Sequence, residues 1–184
     1  LKNEGLAKNE PKKQKRRKWV RYQRKHSNSL WHTDWFESDD KEQILPLEDD
    51  ASRFITGFGV FTNATAENAV TVLDSAIDSY GRPKQTMTDH GPQFASMPRE
   101  TCQEPEPNKF QDYLKRHKIR HIMSRVNHPQ SNGKVEKLSD ILMKLRPHFD
   151  NWQQTIGYYN FERPHGSLNM EQCETPFKGY IRKM

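Results

Sequence analysis

No stretch of this chain approaches the roughly 18 to 20 consecutive apolar residues that a membrane helix needs, and its amino terminus is charged instead of leading into a hydrophobic secretory core. A soluble, intracellular protein is expected. Cysteine is nearly absent as well: Cys102 and Cys173 lie far apart, with no Cys-x-x-Cys and no paired His spacing, which excludes a disulfide framework and a zinc module. Both are expected as free thiols. At 184 residues the chain is too short for two domains of ordinary size, so one core plus a tail is the expectation.

Excess positive charge is also missing from most of the chain. The overall balance is +6, but residues 1–25 alone hold 11 Lys or Arg against Glu4 and Glu10. The rest is slightly acidic. A basic tail of this kind neutralises phosphates in a salt-dependent way, although a solvated, disordered charge run has the same composition. Trp19 and Tyr22 sit among Arg16, Arg17, Lys18, Arg21 and Arg24, and large aromatics favour contact with DNA or with the domain. Residues 1–29 are therefore read as a basic DNA-binding tail or linker, and 30–184 as the folded domain.

Within the domain, Trp31, Thr33 and Trp35 alternate with His32, Asp34 and Phe36, the pattern of a strand with Asp34 on the face opposite the tryptophans. Strands are also expected over 43–47 and 53–61, with Asp49-Asp50-Ala-Ser as the turn between them. Ala69, Val70, Leu73, Ala76, Ile77 and Tyr80 recur at helical spacing after an N-capping Thr65 and before Gly81, which predicts a helix over 66–80. A strand over 84–88 runs into Asp89. Residues 95–108 have the composition of an exposed loop or insertion, 110–117 of a helix and 119–122 of a strand. Val135, Leu138, Leu142 and Leu145 form a helical stripe that Pro147 ends, and a last helix is expected over 151–160. The order βββαβαβαα is that of an α/β fold, a mixed sheet with helices on its faces.

Three carboxylates in three contexts carry the chemistry: Asp34 in Trp31-His-Thr-Asp34, Asp89 in Thr88-Asp-His-Gly-Pro-Gln-Phe94, and Glu136 in His128-Pro-Gln-Ser-Asn-Gly-Lys-Val-Glu136. Singly, each reads as well as a strand-edge charge, a turn residue and a helix-dipole partner. Jointly they are the ligand set for hard divalent cations, which take oxygen ligands and stabilise the entering and leaving oxygens of a phosphodiester. His117 and His121 are four apart, but a strand begins between them, which argues against a metal pair.

These motifs, with Asp49-Asp-Ala-Ser-Arg53 and Tyr159-Asn-x-x-Arg-Pro-His165, closely resemble the catalytic cores of DDE transposases of bacterial and archaeal insertion sequences, relatives of retroviral integrases. The resemblance covers roughly residues 30 to 178. It implies an RNase H-like fold with a five-stranded mixed sheet and helices on both faces. It further implies that Asp34, Asp89 and Glu136 are the catalytic residues and ligate two Mg2+, with Mn2+ able to substitute. Water would cut a strand and the exposed 3′-hydroxyl would attack a target phosphate. The implied partners are transposon-end and target DNA, bound by a homo-oligomer, and the implied location is the cytoplasm, on the nucleoid when DNA-bound. Residues expected at DNA are Arg16, Arg17, Lys18, Arg21, Gln93, Asn127, His128, Gln130, Asn132, Lys134 and Lys137, with surface lysine an equal reading for the last two. Gly91 is expected to allow a sharp turn beside Asp89, and Arg163 and His165 to end the last helix.

Three departures stand out. The 46 residues between Asp89 and Glu136 exceed the retroviral spacing, and 95–108 can absorb the excess. Ser139 and Asp140 replace the aromatic and small residues usual after the glutamate. Relatives carry a helix-turn-helix domain where this chain has only the basic segment, the pattern of a fragment or a decayed copy. Two rival readings remain: a non-catalytic DNA-binding or regulatory relative, and an RNase H-like nuclease that stops after hydrolysis.

Overall fold

The computed structural model describes residues 22–96, 108–124 and 133–184. Its strands are β1 (Trp31–Thr33), β2 (Phe36–Glu37), β3 (Gln43–Asp49), β4 (Ile55–Phe61), β5 (Gln85–Thr88) and β6 (Arg120–Met123). The helices are α1 (Ala66–Tyr80), α2 (Lys109–Arg116), α3 (Gly133–Leu145), α4 (Trp152–Gly157) and α5 (Pro176–Arg182), and a π-helical turn (Tyr158–Glu162) extends α4. α1 has the predicted start and stop: Thr65 accepts from the Asn68 N–H, and Gly81 follows at φ +81°. α5 has no counterpart among the predicted elements.

All six strands join one sheet, in the order β2-β3-β1-β5-β6 with β4 on β3. β1 and β2 pair with β3 in one continuous register, Trp31 opposite Asp49 through Phe36 opposite Ile44. They are one predicted strand broken at Asp34-Trp35. The break has a local cause. The Ser38 N–H donates to the Glu42 carbonyl, so alternate β3 residues from 42 onward turn their backbone groups toward β1 and β2. Pro46 falls on that parity opposite Asp34 and has no N–H to offer. A β-bulge between Leu47 and Glu48 shifts β4, and the Asn160 amide closes the Ile55 backbone there, accepting its N–H and donating to its carbonyl, both at 2.9 Å.

Alternation puts two cores on the two faces. Trp31, Leu45 and Leu47 pack with α1 and α2 through Val72, Leu73, Phe110 and Leu114. Ile44 and Ile55 pack with α3 and α4 through Leu138, Leu142, Trp152 and Tyr159, and Phe36 joins them. The tryptophans of β1 and its continuation therefore lie under α1, and the face of Phe36 lies under α3, as the alternation predicts. On the α1 face β4 offers Gly57 and Gly59, where a Cβ would stand 2.8 Å from Ala76 Cβ and 2.6 Å from Val72 Cγ2. The helix lies this close because both side chains are missing.

Residues 23–28, placed in the tail by composition, are bonded to the domain. The Arg24 N–H donates to Asp50, the Asn28 N–H to Asp49, the Asn28 amide to the Tyr80 carbonyl, and the Ser27 hydroxyl to the Tyr180 carbonyl. The ends of the expected insertion are structured too: Ala95 is buried and Asn108 caps α2 in a capping box with Gln111. Arg16, Arg17, Lys18, Arg21, Trp19, Cys102, Asn127, His128, Gln130 and Asn132 lie outside the described residues. Cys173 is a free, exposed thiol, and among the described residues no helix is long and apolar enough to cross a membrane. Gly57→Val should cost about 3 kcal/mol or more, since the added atoms meet β-sheet and helix together. Urea unfolding measures it, with Thr71→Ala on the exposed side of α1 as the control that should leave stability nearly unchanged.

Candidate active site

Asp34 and Asp89 each directly follow one of two adjacent parallel strands. β1 runs parallel to β5 with Trp31 opposite Thr86 and His32 opposite Met87. β1 ends at Thr33 and β5 at Thr88, so Asp34 and Asp89 leave the sheet at the same end. Both are partly exposed. Asp34 Oδ1 accepts from the Trp35 N–H, and Asp89 Oδ1 from the Gly91 N–H, each at 2.9 Å. The chain turns at Gly91 as expected, the Phe94 N–H donating to the Gly91 carbonyl at 2.9 Å, but without a positive φ. A Cβ there would lie 3.0 Å from Asp89 Oδ1 and 2.6 Å from Gln93 Oε1, so glycine makes room for the carboxylate and keeps Gln93 next to it.

Glu136 sits in the first turn of α3, exposed, between the core-facing Val135 and Leu138. α3 packs against β1, so its glutamate is on the helix that covers the Asp34 side of the sheet. Among the described residues no three His, Cys, Asp or Glu side chains are close enough to hold a metal ion; the carboxylate pair and the helix are in place without a closed triad. The donor set suits Mg2+ nonetheless: hard carboxylate oxygens, partly exposed, with room for water and phosphate in the remaining positions. Asp140 is exposed one turn beyond Glu136. His117 stacks on Tyr113 and His121 bonds Thr88 Oγ1 at 2.9 Å, so the two histidines point to different partners.

Beside the carboxylates lies a buried charge network that periodicity does not reveal. His32 and Asp50 are 2% and 0% exposed and joined at 2.8 Å. Lys134, expected at DNA phosphate, instead donates its ammonium to Asp50 and to the Tyr22 carbonyl. The chain His32–Asp50–Lys134 thus ties a residue two before Asp34 to a residue two before Glu136. Burial opposes ionisation of Asp50, but hydrogen bonds from His32 and Lys134 outweigh it and hold its pKa well below the usual carboxylate range. Burial lowers the pKa of His32, which is neutral at pH 7. Glu48, paired with His32 across β1 and β3, is 3.7 Å from Arg53, and burial raises it to about 7. Arg53 holds a left-handed backbone at φ +68°. Its turn, read from sequence only as polar punctuation, carries these charges inward. The available signal is Glu48, Asp49 and Asp50 directly after the aliphatic Leu45 and Leu47, since acids in a central strand need buried partners.

Lys137 is exposed on α3 and lines a cavity with Arg163 and His165. Arg163 ends the π-helical turn, as expected, and both it and His165 also face this cavity.

The sequence profile of the integrase core domain matches residues 24–129, more than half of the chain. The chain belongs to the integrase core domain family. This integrase core is 27% identical over 158 residues to the "Putative integrase ORF3" of Spiroplasma virus SpV1-C74, a match covering 77% of this chain and 42% of that protein. The chain thus spans less than half the length of that relative. Its fold matches a chain in the cryo-EM structure of the simian T-cell lymphotropic virus intasome in complex with PP2A regulatory subunit B56 gamma, with TM-score 0.72 and 22% identity over 94% of this chain and 60% of that one. It also matches the HTLV-2 integrase catalytic core domain in complex with magnesium, with TM-score 0.60 and 17% identity over 83% and 96% of the two chains. The integrase core therefore has the RNase H-like fold, the α/β class expected. Its sheet has five strand positions, counted as six strands because of the break at Asp34.

Glu48 gives this integrase core a pH signature. Its folded pKa of about 7 lies above its unfolded value of 4.5, so its contribution is fully present below about pH 4.5 and lost as pH rises through 7. Glu48→Gln should remove that fall, a difference between variant and wild type of about 2 to 3 kcal/mol across the window. Chemical unfolding at pH 5 and pH 8.5 reads it; parallel curves for the two proteins would refute the assignment.

Proposed function

We propose that this chain is the catalytic core of a DNA transposase or integrase, a polynucleotidyl transferase that cleaves and joins DNA strands with divalent metal. The observation that carries the reading is that Asp34 and Asp89 follow the same ends of two adjacent parallel strands, β1 and β5, with the helix that bears Glu136 packed on β1. In the proposed site Asp34, Asp89 and Glu136 would hold two divalent ions, and Mg2+, or Mn2+ in its place, would supply activation of the attacking oxygen and charge neutralisation at the scissile phosphate. The chain supplies the rest. Gly91 leaves space at Asp89, Gln93 meets the substrate strand, and Lys137 meets backbone phosphate. The His32–Asp50–Lys134 chain holds α3 against β1, and with it the spacing of Glu136 from Asp34.

The proposed partners are DNA ends of a mobile element and a target duplex, bound by a homo-oligomer, with the basic run that includes Arg16, Arg17, Lys18 and Arg21 adding sequence-independent contacts. The HTLV-2 core with magnesium and the simian virus intasome support metal and assembly as features of relatives. The corresponding location is the cytoplasm, with residence on the nucleoid when DNA-bound. One observation favours a regulatory, non-catalytic relative: exposed Asp140 sets a second negative charge beyond Glu136, where it repels phosphate.

Glu136→Gln and Asp34→Asn should each reduce Mg2+- or Mn2+-dependent nicking and joining of a terminal-repeat duplex by at least 100-fold, with duplex affinity within about 3-fold of wild type. Gel analysis of end-labelled DNA separates the outcomes. Nicking without joined product identifies a nuclease, and wild-type protein inert with either metal identifies the regulatory relative.

A further inference from the structure

Between α3, the Glu48 end of β3 and the segment after the π-helical turn lies a cavity of about 470 Å3, whose lining includes Glu48, Arg53, Lys137, Tyr159, Arg163 and Ser167. It is separate from the carboxylate pair, neither member of which lines it. Three polar atoms in its walls, Glu48 Oε2, Tyr159 Oη and Arg163 Nη1, are buried without a hydrogen-bond partner among the described residues. Glu48 and Tyr159 are 2% and 0% exposed. Burial and the neighbouring Glu48 raise the Tyr159 phenol above its usual range, and Glu48 Oε2 faces Arg53 at 3.7 Å, beyond hydrogen-bond distance. A buried polar group without a hydrogen bond costs about 1 to 3 kcal/mol, and Tyr159 Oη and Arg163 Nη1 in the walls of one cavity point to a ligand that completes them.

The chemistry of that ligand follows from the charges. Arg53, Lys137 and Arg163 bring three cations against one carboxylate, and burial raises Glu48 to about 7 so that it is partly neutral at physiological pH. Lys134, also in the wall, is already committed to Asp50. Arg53 donates through Nε to Ser167 at 3.4 Å and stands 3.7 Å from Glu48. The Arg163 guanidinium is held over the Tyr159 ring at 5.9 Å from its centroid, a fixed planar fork with an unused N–H. Guanidinium forks with a hydroxyl beside them match the oxygens of a tetrahedral oxyanion.

We propose that this cavity is a phosphate-binding site and that, on DNA, it holds a backbone phosphate. Lys137 lines it from the position next to Glu136 on α3, so a strand running along α3 toward the carboxylates passes its opening. The DNA part rests on the function proposed above; phosphate binding itself does not.

The test uses the whole chain in EDTA, as wild type, Arg163→Gln and Lys137→Glu, so that neither arm requires metal or cleavage. In the first arm, millimolar inorganic phosphate should raise the thermal midpoint of the wild type and leave that of Arg163→Gln unmoved. In the second, affinity for a short duplex is measured against salt. Losing one phosphate contact should flatten the log K versus log salt slope by about 0.9, and Lys137→Glu, an exposed substitution that leaves the core intact, should flatten it at least as much. If Arg163→Gln fails to fold by circular dichroism, Lys137→Glu carries both arms, with at least 10-fold weaker phosphate binding expected. Loss of phosphate binding with an unchanged slope assigns the site to free phosphate and overturns the DNA part. Unchanged behaviour in both arms overturns the proposal. Inactivity of the wild type on DNA with metal, by contrast, bears only on the catalytic reading.

Discussion

The parallel hydrogen bonding of β1 to β5 fixes the separation on which the site depends. Register is quantised: a slip of one residue would turn one aspartate to the opposite face of the sheet. With Trp31 opposite Thr86, β1 and β5 end together, at Thr33 and Thr88, and Asp34 and Asp89 follow directly. Everything around the pair serves to hold that register. Trp31 is locked beneath α1 by the close approach at Gly57 and Gly59, and the end of β3 is clamped to residues 24–28 through Asp49 and Asp50. Pro46 then ends the β1 ladder at Asp34, which lets that residue leave regular strand geometry at the point where it is needed.

The second constraint is electrostatic. Placing the charges of Asp50 and Arg53 in the interior, beside His32 and Glu48, costs several kcal/mol per charge unless each is paired. The pairing runs from β1 to the β3–β4 turn and from that turn to α3, and Arg53 of the turn faces Glu48 of β3. Such pairs add little net stability compared with apolar side chains of the same size, but removing one partner leaves the other stranded. They act as fixed joints. The helix with Glu136 therefore has a defined seat on β1 even though its glutamate is exposed.

Local periodicity makes much of this legible in the sequence. The α1 stripe with Thr65 and Gly81, the alternation around Asp34 and the run into Asp89 all appear as read, because each depends on neighbours a few residues away. What stays hidden depends on contacts across the chain. The break at Asp34 needs Pro46 opposite it, and no local pattern announces that pairing. Asp50 reads as turn polarity because its partners are 18 and 84 residues away. Lys134 reads as a phosphate contact for the same reason. α5 escapes because Pro176, Gly179 and Tyr180 give a short, weak helical pattern, stabilised by Tyr180 bonding Asn28 and Tyr80 far along the chain. The three carboxylates are singled out by their flanking motifs, whereas the cavity on α3 requires the fold.

Tyr22, whose carbonyl accepts from Lys134, fixes where the preceding residues join the domain, beside the first turn of α3. Under the proposed function, a polyanion held by the basic side chains of the preceding sequence would meet α3 at the same time, so two weak contacts with one ligand would act together instead of as separate encounters.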